Sequence, residues 1–233
     1  MLKSKSIDSS KHQITFNIYT GAPSSFDEYI RRTHTFTENR LVSYSLYYNR
    51  KLKTIKDFSF SILVGLNYKT IKVGYNAKSK LLPATTQSFS ASNHSMSLNI
   101  GLMIEKPIVR FKKMQIVAGF GGYLSGQFYS PKKYKSFSFA SDYSSNTDDY
   151  SFYFHNNRDI YPYSFLQLKL SQQLKKRHLI YGLRYLAGGK YFKKPPVVYD
   201  VFYYTDPNGN YVYSRGKFTD IIDKFEFFIG LQF

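Results

Sequence analysis

Five histidines, His12, His34, His94, His155 and His178, are the side chains best placed by ordinary pKa to move protons near neutral pH. His94 adjoins Ser95 and His155 lies shortly before Asp159, so each pair could imitate part of a nucleophile, base and acid set. No nucleophile motif accompanies them, and the chain contains no HExxH, phosphate-cradling glycine loop or dinucleotide fingerprint. These histidines read as solvated loop residues. With no cysteine, thiolate catalysis, disulfides and Cys-based metal sites are excluded. Asp142, Asp148 and Asp149 could attract Ca²⁺, but their Ser-, Asn- and Tyr-rich surroundings read as a solvated loop. The expectation is a protein with no catalytic residues, no metal and no cofactor.

Charge points to partners rather than to chemistry. The net charge of +18 suits a polyanion. The basic residues fall into two zones. Arg50, Lys51, Lys53 and Lys56, then Lys106, Arg110, Lys112 and Lys113, then Lys175, Lys176 and Arg177 mark three short connections. Lys132, Lys133, Lys135, Lys190, Lys193, Lys194, Arg215 and Lys217 fall in long ones. Two separated zones do not make one nucleic-acid groove, so no nucleic-acid partner is expected. They suit lipid headgroups at two membrane faces, anionic phospholipid on one side and lipopolysaccharide phosphates on the other. A solubilising, snorkelling rim is the plainer alternative.

The elements that would carry these residues are strands. Charged residues make up 21% of the chain, and no stretch supplies the roughly 20 apolar residues of a spanning helix. Aromatic content of 19% exceeds what a soluble core of this size needs. Period-two alternation marks eight segments near the length a tilted membrane strand requires. Phe58, Phe60, Ile62, Val64, Leu66 and Tyr68 share one face, opposite Ser59, Ser61, Leu63, Gly65, Asn67 and Lys69. Similar rows run through Gln13 to Thr20, Leu41 to Leu52, Met96 to Glu105, Gln115 to Gln127, Phe165 to Ser171, Leu179 to Tyr185 and Phe225 to Phe233. The connections alternate between long (Gly21 to Arg40, Thr70 to Ser95, Phe128 to Ile160, Gly189 to Ile222) and short (Lys53 to Asp57, Lys106 to Met114, Lys175 to Arg177). Short periplasmic turns and long external loops on an even-stranded barrel produce this order. The expected fold is all-β: an eight-stranded antiparallel up-and-down transmembrane β-barrel over 13–233, after a polar tail over 1–12. Met1 to Lys11 has no apolar core of a signal peptide, so the chain reads as a mature or incomplete one. A soluble lipocalin-like barrel would use the same alternation with the apolar face inward.

The ending Phe227, Phe228, Ile229, Gly230, Leu231, Gln232, Phe233 resembles the C-terminal assembly signal of outer-membrane barrels, carried by Gly230 and Phe233, with the pattern's polar position falling on Phe228. Beyond its first dozen residues the chain resembles the small Tyr-, Phe- and Lys-rich outer-membrane barrels of Bacteroidetes, of the OmpA and OmpX type of architecture. The resemblance implies insertion by the barrel assembly machinery and an outer-membrane location. It does not choose among structural, adhesive, transport-associated and secretion-associated roles.

Phase then assigns insides. Arg184 and Glu226 fall on inward positions of neighbouring strands and are expected to face each other, with Lys69, Glu105 and Lys169 completing a structural ion network in a filled lumen. Tyr48, Tyr68, Tyr129, Tyr161 and Tyr191 suit interfacial girdles. Tyr199, Phe202, Tyr203, Tyr204, Tyr211 and Tyr213 flank a turn at Asp206 to Asn210 and suggest an external hairpin able to bind a partner protein or surface polymer. The expected function is therefore a non-enzymatic outer-membrane scaffold or binding subunit. The alternatives are a lipid-modifying enzyme active at the external rim, where lipid A deacylases, palmitoyltransferases and omptin proteases use His with Ser or an acid, and a soluble ligand carrier.

Overall fold

The computed structural model describes residues 11–21, 24–25, 35–78, 86–129, 134–140, 147–154, 160–175, 177–188, 197–205, 211–219 and 223–233. Among these residues thirteen strands follow one another: β1 His12–Gly21, β2 Ser24–Ser25, β3 Thr35–Ile55, β4 Phe58–Lys78, β5 Thr86–Arg110, β6 Met114–Tyr129, β7 Tyr134–Ala140, β8 Thr147–Phe154, β9 Ile160–Leu174, β10 Arg177–Gly188, β11 Val197–Thr205, β12 Tyr211–Thr219 and β13 Asp223–Gln232. Eight close into a barrel in the order β1-β13-β10-β9-β6-β5-β4-β3, and every neighbouring pair is antiparallel. The barrel closes where β1 meets β13, with Ile14 opposite Leu231 and Thr15 opposite Gly230. Among the described residues each of the eight barrel strands is paired on both sides, the closure that lets a sheet enter hydrocarbon.

The period-two pattern sets which side of the wall each residue faces. Along β1, Gln13, Thr15, Asn17 and Tyr19 are buried while Ile14, Phe16 and Ile18 are exposed. Along β4, Ser59, Ser61 and Leu63 are buried and Phe58, Ile62, Val64, Leu66 and Tyr68 are exposed. The outermost side chains are large and apolar, with Leu102 63% and Phe227 65% exposed, whereas the interior holds Asn, Ser, Gln, Lys, Arg and Glu. This is the inverse of a soluble barrel. A row of apolar side chains against water forfeits the burial that drives folding, but against acyl chains it forfeits nothing. From Phe58 to Tyr68 the row is roughly 33 Å long along the strand and about 25 Å tall at a tilt of ~40°, the height of a lipid-facing band.

Three strands outrun that band. β3 and β4 each have 21 residues and β5 has 25, so the sheet continues past the ends placed by alternation at Leu41, Lys69 and Met96. A strand of that length is roughly 70 Å or more, against a hydrocarbon core of ~30 Å. Alternation of apolar and polar residues reports only the part of a strand whose two faces see different media. Beyond the lipid the backbone pairing persists without that signature.

Inside the long connections, five further strands form a second sheet in the order β2-β12-β11-β8-β7. β11 and β12 pair as a hairpin, with Tyr203 opposite Tyr213 and Thr205 opposite Tyr211. Asp206 to Asn210 lie outside the described residues, as do His34, His155, Asp159, Asp142, Tyr191, Lys132, Lys133, Lys176, Lys190, Lys193 and Lys194.

Candidate functional site

The densest polar chemistry is in the lumen, placed there by the inward phase of β1, β5, β9, β10 and β13. Arg184 on β10 and Glu226 on β13 are register partners. The guanidinium Nη1 is 4.0 Å from Glu226 Oε2, and both side chains are buried. Glu226 also accepts from Asn17 Nδ2 at 3.1 Å and lies 3.7 Å from Lys224 Nζ. Arg184 donates through Nε and Nη2 to the single oxygen of Gln167, at 3.2 and 3.0 Å. Gln167 Nε2 donates onward to Glu105 Oε1 at 2.8 Å. Lys169 Nζ reaches the same oxygen at 2.5 Å and donates to Gln13 Oε1 at 3.0 Å. The result is one connected chain of charges and amides across the barrel interior. Buried ions survive only when partnered in this way.

Of the five residues assigned to the lumen from sequence, the structure brings together Arg184, Glu226, Glu105 and Lys169. Lys69 stands elsewhere, on β4 opposite Ser43 and Ser95 and toward the long-connection end. The network also uses Gln167, Lys224, Asn17 and Gln13, which sequence reasoning did not single out. Their inward phase was readable for three of them. Lys224 lies one residue before the last strand as read from sequence. An amide that joins two ion pairs has no signature of its own in one sequence.

Beside the ions lies an aromatic and aliphatic cluster. Tyr47, Leu63, Met103, Tyr123, Phe165 and Leu186 form one buried cluster, with Tyr163 packed against it. The Arg184 guanidinium carbon is 4.4 Å from the Phe165 ring, 4.9 Å from Tyr47 and 5.8 Å from Phe228. Rings at these distances stabilise a cation by about 0.5–2 kcal/mol each. Phe228, buried on β13, thus places its ring beside the buried charge. Glycine makes the cluster fit: a Cβ on Gly121 would come within 2.5 Å of Phe165 Cζ, and one on Gly65 would collide with the Tyr47 ring.

The histidines do not assemble a catalytic set among the described residues. His94 lies within β5 rather than in a loop, where its Nδ1 is 2.9 Å from Tyr68 Oη and 3.1 Å from Thr70 Oγ1, and its ring stacks on Tyr68. His12 stacks between Tyr48 and Phe233 at the barrel seam. His178 is buried with its Nδ1 3.4 Å from Ser171 Oγ. Among the described residues no group of three or more metal-binding side chains converges. Asp148 and Asp149 are instead spaced along β8, opposite Phe139 and Ser138.

At the C-terminus, Gly230 packs where a Cβ would meet the Thr15 backbone at 2.9 Å, and Phe233 exchanges backbone hydrogen bonds with His12 at 2.8 and 3.0 Å. Gly230 and Phe233 therefore help to close the barrel. Tyr199, Phe202, Tyr203, Tyr204, Tyr211 and Tyr213 all fall on β11 and β12, where Tyr199 lies opposite both Phe218 and Phe154.

No protein-family model and no curated protein matches the sequence. Among solved structures the chain is similar to the outer membrane protein OprG from Pseudomonas aeruginosa, with 9% identity over 96% of this chain and 95% of that one and a TM-score of 0.45.

Proposed function

We infer that this chain is an integral outer-membrane β-barrel that acts as a scaffold or binding subunit and performs no catalysis. The observation that carries the reading is the inverted barrel: apolar rows outside, a filled and ion-paired lumen inside. An interior occupied by Arg184, Tyr47, Phe165 and Met103 offers a solute no passage, so what the barrel presents to its surroundings lies at its ends. At the long-connection end that is the second sheet, with the aromatic β11–β12 hairpin and the basic residues Arg215 and Lys217 on β12. Aromatic and cationic residues together suit a partner protein or an anionic surface polymer, lipopolysaccharide included. The terminal Gly230 and Phe233 support insertion by the barrel assembly machinery, and the richness in Tyr, Phe and Lys supports the small Bacteroidetes type.

Two measurements test this. The folded protein should stay with membranes through a high-pH carbonate wash and need detergent for release; native protein in the aqueous extract overturns the membrane reading. Affinity isolation from native membranes should recover a stoichiometric companion that is lost when Val197–Thr219 is deleted. A barrel always isolated alone overturns the scaffold role.

A further inference from the structure

On one side of the barrel the outward apolar rows change into cations at the short-turn end. In β3 the exposed row passes from Leu46 and Tyr48 to Arg50, which pairs in register with lipid-facing Ile62, and then to Lys53, which pairs with Phe60. In β5 the row Leu98, Ile100, Leu102 and Ile104 continues into Lys106. β4 lies between these strands, so the charges form one patch rather than separate points. Lys106 Nζ sits 5.0 Å from the centre of the Phe58 ring. Arg110 Nη2 is 3.7 Å from Asp57 Oδ1, with its side chain 55% exposed. Across residues 50–58 and 104–115 the acids are Asp57 and Glu105, and Glu105 is buried in the lumen.

We propose that Arg50, Lys53, Lys106 and Arg110 form a binding site for anionic phospholipid headgroups in the leaflet that meets the short turns. This rests on the membrane reading above and names a partner for the opposite end of the barrel. Three features favour lipid over a soluble acidic protein. Arg50, Lys53 and Lys106 stand on the wall, in line with side chains that touch acyl chains, and not on the turn tips that a partner docking from below would meet. Exposed Leu52, Ile55 and Ile108 are interleaved with them and need an interfacial medium. The outward row of β13, Phe225, Phe227, Ile229, Leu231 and Phe233, carries no cation, so the cationic stretch of wall does not run round the whole circumference. Guanidinium and ammonium groups held at headgroup level bind phosphodiesters by charge-assisted hydrogen bonds.

The test is reconstitution into phosphatidylcholine vesicles containing a trace of spin-labelled phosphatidylglycerol or spin-labelled phosphatidylcholine, read as the fraction of label held immobile at the protein surface. The intact protein should prefer phosphatidylglycerol about fivefold at low salt, and the preference should shrink in high salt as exposed charges are screened. The R50Q/K53Q/K106Q/R110Q variant should fall to near equality. If the fourfold variant fails to insert, the salt dependence of the intact protein decides. Equal immobilisation of both lipids by a properly inserted intact barrel overturns the site while leaving the barrel reading in place. Equal immobilisation together with a periplasmic protein retained by the intact chain and lost from the variant reassigns the patch to protein docking. Failure of the intact chain to insert into any vesicle overturns both readings.

Discussion

Three buried cations, Lys169, Arg184 and Lys224, share two carboxylates, Glu105 and Glu226, so the lumen network carries one positive charge in excess. The two ends of the central pair are therefore not equivalent. Arg184→Met leaves two cations facing two carboxylates, whereas Glu226→Gln leaves three cations facing one. Breaking a buried pair costs about 3–5 kcal/mol, and we expect Glu226→Gln to fall at the upper end and Arg184→Met below it, measured by urea unfolding in lipid vesicles. Equal losses would mean that the excess charge is neutralised by some other group. Packing supplies a second residue-scale prediction. Because the Tyr47 ring lies where a Cβ on Gly65 would be, Gly65→Ala must displace that ring and lower stability by about 1–3 kcal/mol.

At the scale of single elements, β5 shows best what the wall faces. Leu102 stands in the middle of its outward row and is among the most exposed side chains. In hydrocarbon, Leu102→Lys should cost about 2–4 kcal/mol in the same vesicle titration, and in water it would cost almost nothing. The β3–β4 connection is a tight turn with Lys56 at a φ of 54°, a left-handed backbone that a side chain with a Cβ disfavours. Lys56→Gly should stabilise the hairpin by up to about 1 kcal/mol, checked by the same unfolding midpoint. At the other end of the chain, Phe233 joins His12 through two backbone hydrogen bonds and a stacked ring, so strand β13 both ends the sequence and seals the cylinder.

For the whole molecule, the width of the barrel bears on transport. Planar bilayers holding the intact protein should show no stepwise conductance, since an eight-stranded barrel is just wide enough for its inward side chains to fill. Steady single-channel steps from the intact chain would contradict the packing of Tyr47, Tyr123 and Phe165. Removing Val197–Thr219 should leave the barrel folded, because β11 and β12 pair with β8 and β2 in the second sheet and with no barrel strand among the described residues. The same deletion is the one expected to lose the external partner.

The sequence by itself determined the number of barrel strands, the alternation of short and long connections and the inward phase of Arg184, Glu226, Glu105 and Lys169. The barrel strands and the four inward positions follow from a strict two-residue period imposed by a wall with different media on its faces. What only the tertiary structure decided are the relations between strands distant in sequence. Gln167 joins the two ion pairs because β9 lies beside β10, and Glu105 reaches both Gln167 and Lys169 across the barrel interior. The cationic patch on β3 and β5 exists because β4 separates them by a single strand. The second sheet was legible only as one aromatic hairpin, since strands outside the membrane carry no two-sided contrast to mark them. Alternation records the medium each side chain meets; which side chains meet one another depends on how the sheet closes.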